Sequence, residues 1–231
     1  RLIKFGVLAE AGRQLGCERL ATGHYVRIRR DDERRLRVQR GIDPKKDQSY
    51  FLFELSQSQL GTACFPLGEL TKATARDQTR SLGLIPDDHG ESQDLCFIPD
   101  GDYVGFLHRH AGQRLPGSGA IVDPSGRELG THNGFYRYTV GQRRGLGLGG
   151  GPWFVVELRP KENVVVVGKH EDLLQDTVRV RHVNWQRSPP AAGAEIPAVV
   201  QLRYGMQAVP AVVNMQSVGG VVLHLDRPVT G

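Results

Sequence analysis

At about Asp100 the chain changes texture, and that change bounds what it can fold into. Upstream, helical spacing alternates with short apolar strands; downstream, valine-rich strands punctuated by turns take over. Alternating helices and strands are the pattern of an α/β unit, whereas closely spaced short strands build sandwiches or barrels. With 231 residues, two or three modest cores are expected rather than one. The expected architecture is an α/β domain over residues 1–108, a central β-rich domain over 109–174 and a barrel-like β domain over 175–231.

In the first segment Ile3, Val7, Leu8, Ala11 and Leu15 recur at helical spacing, and Gly16 stands where helices end. Residues 19–25 read as a short buried strand running into a loop, followed by a charged turn at 30–35 and a strand at 36–39. Asp47 is placed to cap a helix with Tyr50, Phe51, Phe53 and Leu55 on its apolar face. Thr71 opens a second helix that reaches Leu82, with Gly83 as its stop. A brief helix over 102–110 precedes a Gly- and Pro-rich stretch. Strands are then expected at 153–158, 163–167, 177–183, 198–202, 208–213 and 221–225.

Composition narrows the class. Apolar residues make up 39% and charged residues 24%, which excludes a disordered or fibrous chain, and no apolar run approaches the roughly 20 residues of a membrane span. A net charge of +5 suits a polyanionic partner such as nucleic acid. Cys17, Cys64 and Cys96 are three, far apart and without metal-ligand spacing, so neither a disulfide scaffold nor a zinc site is expected; a reducing, cytoplasmic compartment is. Arg1-Leu2-Ile3-Lys4-Phe5 has no start methionine and no signal-peptide core, the look of a chain cut from a longer one.

Five short motifs carry possible chemistry, each beside a plainer reading. Thr22-Gly23-His24-Tyr25 ends an apolar strand, where open α/β sheets bind ligands and where a Gly lets backbone approach a nucleotide; a plain turn with a surface His explains it too. Lys45-Lys46-Asp47-Gln48 sets two cations and an amide before an aromatic pair; Lys46 suits a phosphate and Gln48 a base edge, while a capped helix with solvated lysines is the plainer account. Cys96, among Leu95, Phe97 and Ile98, is ordinarily a small buried hydrophobe, and a persulfide carrier would need access and a stabilised anion. Arg143 and Arg144 lie in the Gly-rich run 141–150, which is either a basic loop against RNA backbone or a hairpin connector; no Walker loop is present. Arg203-Tyr204 pairs a phosphate grip with a stacking ring, or is an edge-strand Arg beside a packed Tyr.

Taken together, Ile3-Lys4-Phe5, Ala21-Thr22-Gly23-His24-Tyr25, Lys46-Asp47-Gln48-Ser49-Tyr50-Phe51-Leu52, Phe65-Pro66-Leu67-Gly68-Glu69-Leu70, Cys96-Phe97-Ile98, Thr139-Val140-Gly141-Gln142-Arg143-Arg144-Gly145-Leu146-Gly147 and Arg203-Tyr204 resemble, in order, the bacterial tRNA-specific 2-thiouridylases. That resemblance implies a pyrophosphate-loop, adenine nucleotide alpha hydrolase-like first domain. It implies an enzyme that adenylates the C2 oxygen of a wobble uridine with ATP (and Mg²⁺) and delivers sulfur from a cysteine persulfide. By position, Cys96 matches the persulfide cysteine, charged by a sulfur-carrier donor protein; Gly23 matches an ATP contact; His24, Lys46, Asp47, Gln48, Arg203 and Tyr204 match tRNA contacts. Arg143 and Arg144 are assigned to tRNA on the reading of their loop as a basic one against RNA backbone, and a catalytic disulfide belongs to the implied chemistry. The family's Ser-Gly-Gly-x-Asp-Ser loop and second catalytic cysteine are not among these residues. Two other classes stay open: a non-catalytic basic RNA-binding module, and another pyrophosphate-loop adenylating enzyme acting on a small substrate.

Overall fold

A computed structural model describes residues 1–84, 98, 101–216 and 220–230. The chain divides into two compact units, residues 1–89 with 178–224 and residues 90–177 with 225–231. Cys96 and the residues on its N-terminal side back to 85 lie outside the described residues.

The first unit opens on a π-helical turn, Ile3–Leu8, running into α1 (Ala9–Gln14). Gly16 closes it with φ +82°, a left-handed conformation that glycine adopts without a Cβ clash. Only Phe5 of this segment is buried; Ile3, Val7 and Leu15 are exposed, so the apolar face read from the spacing is uncovered. β1 (Leu20–Ala21) follows, then the hairpin β2 (Val26–Arg30) and β3 (Leu36–Arg40), with the charged turn between them.

The helix expected from Tyr50 to Leu55 is instead a single 3₁₀ turn, Ser49–Leu52. Asp47 does not cap it as expected. Its carboxylate accepts from the Ser49 amide and hydroxyl and from the Gly41 amide, tying the turn to the end of β3. The chain then restarts at α2 (Gln57–Thr62) with a capping box: the Ser56 hydroxyl accepts from the Gln59 amide while Gln59 reaches back to the Ser56 N–H. α2 leads into β4 (Ala63–Cys64), which pairs in parallel with β1. α3 (Lys72–Ser81) is capped by Thr71 and ended by Gly83 at φ +66°. Phe5, Val26, Leu52, Leu55, Leu60 and Ala63 form the core of this part.

The second unit holds α4 (Tyr103–Ala111), capped by Asp102. Its sheet contains β5 (Gly119–Val122), β6 (Glu128–His132), β7 (Phe154–Arg159) and β8 (Val164–Gly168) in the order β6-β5-β8-β7, with β5 and β8 parallel. Ile121, Val155, Val165 and Val167 are fully buried beneath it. His132 is 2% exposed. Its Nδ1 accepts from the Gly134 amide, so Nε2 carries the proton and donates to the Asn163 carbonyl.

The last sheet contains β9 (Leu174–Arg181), β10 (Glu195–Val200), β11 (Val209–Gln216) and β12 (Gly220–Thr230) in the order β10-β11-β12-β9. Val209, Ala211 and Val213 of β11 alternate buried with exposed Pro210 and Val212, the signature of a one-sided sheet. The barrel-like closure expected here is absent among the described residues: β10 and β9 remain edges. Four strands, each rotated by about 20–25° from the next, do not carry a sheet around to meet itself.

Candidate nucleic-acid interface

The parallel strands β1 and β4 end side by side, with Ala21 opposite Cys64. The chain beyond β1 stays attached, because the Thr22 amide donates to the Cys64 carbonyl at 3.0 Å. Gly23 is exposed there, and a Cβ on it would meet only Leu67, at an ordinary 3.8 Å. Its backbone is open to approach from outside, and its place at the carboxyl end of a parallel pair is where α/β sheets bind ligands.

His24 sits half-buried between two rings, 6.2 Å from Phe5 and 6.0 Å from Phe65 by centroid, with Nδ1 2.7 Å from the Thr22 hydroxyl. Burial, and then the nearby Lys4 charge, hold its imidazole below the usual histidine pKa. The ring is therefore neutral at pH 7 and offers a hydrogen bond rather than a charge.

Gln48 is locked to the same loop. Its backbone N–H donates to the Tyr25 carbonyl at 3.0 Å, and its side-chain Oε1 accepts from the Tyr25 amide at 3.1 Å. Gly41 completes the lock, since any Cβ there would press on the Tyr25 carbonyl oxygen at 2.8 Å. Asp43 organises the lysine turn: its carboxylate accepts from the amides of Lys72 and Lys45, which keeps it below the ordinary carboxylate value. Lys46 is half-buried in that turn. So Gly23, His24, Lys46, Asp47 and Gln48 form one braced ledge, in which Asp47 and the Gln48 carbonyl oxygen are engaged in holding backbone.

Tyr50 and Phe51, on the 3₁₀ turn beside the ledge, meet the loop that follows β10. Phe51 and Tyr204 lie 4.6 Å apart by centroid, and the Tyr50 hydroxyl donates to the Leu202 carbonyl at 2.9 Å. Tyr204 is 53% exposed and Arg203 half-buried. The fold thus brings Arg203 and Tyr204, some 150 residues distant in sequence, against the turn that carries Lys46 to Gln48.

Arg143 and Arg144 stand in the second unit, both exposed. Their loop is braced rather than mobile: Gly141 and Gln142 bond to Val155, the Gln142 side chain accepts from Thr139 and donates to the Arg144 carbonyl, and Leu146 is buried.

A cleft of about 450 Å³ that sequence reasoning missed lies between the β2–β3 hairpin and residues 184–187. Arg37, Arg40 and Arg187 line it with Tyr50, Phe53 and Trp185. Its walls are tied across the sequence: Asn184 donates to the Phe53 and Leu55 carbonyls, and Gln186 Oε1 accepts from the Val38 amide at 2.7 Å. A signal existed in Asn184-Trp185-Gln186-Arg187, a polar and aromatic run directly after a valine-rich strand. Its partners, 130 to 150 residues upstream, could not be read from it. Among the described residues no group of three or more His, Cys, Asp or Glu side chains is gathered to hold a metal, and no helix is long and apolar enough to cross a membrane.

Three family models match in succession: a tRNA methyl transferase HUP domain over residues 1–100, a tRNA methyl transferase PRC-barrel domain over 104–169 and an aminomethyltransferase beta-barrel domain over 175–231. Similar proteins include one from Chloroflexus aggregans, 44% identical over 99% of this chain and 63% of its own length, and one from a Synechococcus species, 44% identical over 100% and 63%. Another, from Syntrophotalea carbinolica, is 41% identical over 100% of this chain and 65% of its own. All three are named tRNA-specific 2-thiouridylase MnmA. The chain therefore spans a little under two thirds of the length of these relatives, is itself matched over 99–100% of its length, and belongs to the tRNA-specific 2-thiouridylase family.

Proposed function

We propose that this chain supplies the persulfide cysteine and the RNA-holding surfaces of a tRNA-uridine 2-sulfurtransferase. The supporting observation is the 44% identity to 2-thiouridylases over 99–100% of this chain, joined by a braced ledge and aromatic patch of suitable chemistry. In the proposed reaction ATP adenylates the C2 oxygen of the wobble uridine and pyrophosphate leaves. The terminal sulfur of a Cys96 persulfide then bonds to C2, and AMP departs with the former oxygen. A second thiol breaks the remaining S–S bond, leaves sulfur on C2 and ends in a disulfide with Cys96. An external dithiol reductant then returns that disulfide to two thiols, itself ending as a disulfide, and a carrier protein reloads Cys96 by persulfide exchange.

Within this reading the backbone at Gly23 faces ATP, and Mg²⁺ enters on the ATP phosphates. Neutral His24 hydrogen-bonds RNA, and Lys46 and Arg203 take backbone phosphates. Tyr204 stacks on an unpaired base, and Asp47 and Gln48 act mainly by fixing the ledge. Arg143 and Arg144 add phosphate contacts from the second unit. The reaction places the protein with tRNA in the cytoplasm, away from membrane.

The test uses the complete gene product, tRNA, ATP and a donor carrying isotopically labelled sulfur, followed by nucleoside analysis. Label in 2-thiouridine, dependent on ATP and lost in Cys96→Ser, is the expected result. Undiminished thiolation in Cys96→Ser would remove that cysteine from the chemistry. A methylated nucleoside without sulfur label would instead support the methyl transfer named in the domain descriptions.

A further inference from the structure

The cleft between the hairpin and residues 184–187 takes in none of the ledge residues 23–24 and 46–48. We propose that it binds one unpaired nucleotide of an RNA strand, its base stacked on Trp185 and its phosphate paired with Arg40 and Arg187. The proposal rests on the reading of the chain as an RNA-holding part of a tRNA-modifying enzyme and extends it to residues outside the ledge.

Charge selects an anion. Among the described residues no carboxylate lines the cleft, while three arginines do. Arg37 is already paired with Asp31 at 2.7 Å. Among the described residues the Arg40 guanidinium has one long contact, 3.4 Å to the Gln201 side chain, and Arg187 is exposed with no hydrogen-bond or ion-pair partner. Two guanidiniums, one on each side of the cleft, are thus open to phosphate oxygens.

Shape selects a splayed base. Asn184 is fastened to the stretch after the 3₁₀ turn and Gln186 to the hairpin, so the residues between and after them, Trp185 and Arg187, are held in place while their own side chains carry no such ties among the described residues. Trp185 is half-buried and has no aromatic partner among the described residues, unlike the Tyr50–Phe51–Tyr204 group. An indole beside cationic groups suits a base out of its stack, which a duplex does not present. Tyr50 lines the cleft and also packs on Tyr204, 6.3 Å apart by centroid, so the cleft continues the proposed RNA path.

The chain has two tryptophans, so Trp153→Phe leaves Trp185 as the sole indole reporter. Titrating that 231-residue variant with single-stranded oligouridylate should quench its emission to saturation. Duplex RNA and polyglutamate should leave it unchanged. Should Trp153→Phe fold poorly, the same signal is read in the wild-type chain as the quench lost in Trp185→Ala. Arg40→Ala and Arg187→Ala combined should lower the slope of log affinity against log salt by about 0.7, the single-strand value for the one phosphate they share, and each alone by part of that. Trp185→Ala should weaken binding about tenfold or more.

Absence of quenching, or quenching and salt slope unmoved by both arginine variants, overturns the proposal. Equal quenching by polyglutamate overturns it in favour of an acidic peptide. Parallel binding of tRNA separates the two readings. Binding that falls in Tyr204→Ala but is unchanged in the cleft variants rejects the cleft alone, whereas no tRNA binding at all rejects the functional reading on which it stands.

Discussion

Gln186 joins distant parts of the first unit through one amide oxygen, and replacing it with leucine isolates that role. In the folded chain its Oε1 accepts from the half-buried Val38 amide at 2.7 Å, on the side of β3 away from β2. Leucine keeps nearly the same volume and removes the acceptor, leaving the Val38 N–H without a partner in a partly desolvated place. An unmade bond of this kind costs about 1–3 kcal/mol, so about 2 kcal/mol is expected. For a chain of this size that is a fall in Tm of about 4–8 °C. Native-state hydrogen exchange is the more pointed assay: protection of the Val38 amide should drop about thirtyfold for 2 kcal/mol, while ladder amides between β2 and β3 lose no more than the global change. A loss below about 0.5 kcal/mol with Val38 exchange unchanged would refute the claim that Gln186 closes the hairpin edge.

Other consequences follow from the same geometry. Leu60 is 1% exposed at the centre of the first core, and Leu60→Ala should cost about 2–5 kcal/mol in denaturant unfolding; a loss within that of a surface change would contradict the packing. The His24 imidazole, held low by burial and by Lys4, should titrate by NMR with a midpoint below its ordinary 6.5. The unfolded chain takes up that proton first, so His24 favours folding above 6.5 and loses this contribution as pH falls toward the folded midpoint. A midpoint at or above the ordinary value would contradict its half-buried setting. Asp43, hydrogen-bonded by the Lys72 amide, and Asp31, hydrogen-bonded by Arg35 and ion-paired with Arg37, are both held below the ordinary carboxylate 3.8. Their contribution to folding is present above that value and disappears as acidification protonates them. Acid unfolding monitored by circular dichroism should therefore shift to higher pH in Asp43→Asn, and an unmoved midpoint would show that the lysine turn does not depend on this carboxylate.

Much of the fold was legible where a local rule acts alone. Thr71 and Gly83 bracket α3 because a hydroxyl cap and a left-handed stop need only their neighbours. The valine-rich strands were legible for the same reason. β5 and β6 were not: they are brief, sit in a Gly- and Pro-rich stretch, and are joined by a turn that Asp123 braces through Ser125 and Arg127. The 3₁₀ turn at Ser49 escaped because Asp47 spends its carboxylate on Gly41 rather than on a helix end. The Ser56–Gln59 capping box was in plain view, yet the aromatic run before it suggested one longer helix.

The candidate ledge divides in the same way. Residue types at 23–24, 46–48 and 203–204 pointed to RNA. Their meeting through Tyr25–Gln48 and Phe51–Tyr204 depends on long-range contacts that no local pattern encodes. Trp185 and Arg187 stand in a visible polar and aromatic run, but their setting is made by amide bonds to Phe53, Leu55 and Val38, which that run does not encode.

Sulfur loading tests the central claim most directly. The complete gene product is incubated with a persulfide donor, trapped by alkylation and mapped by mass spectrometry. Cys17, exposed, and Cys64, half-buried, serve as internal controls. The account predicts an added sulfur on Cys96 that disappears when tRNA and ATP are supplied together. A persulfide confined to Cys17 or Cys64, or one on Cys96 that tRNA and ATP leave in place, would contradict it.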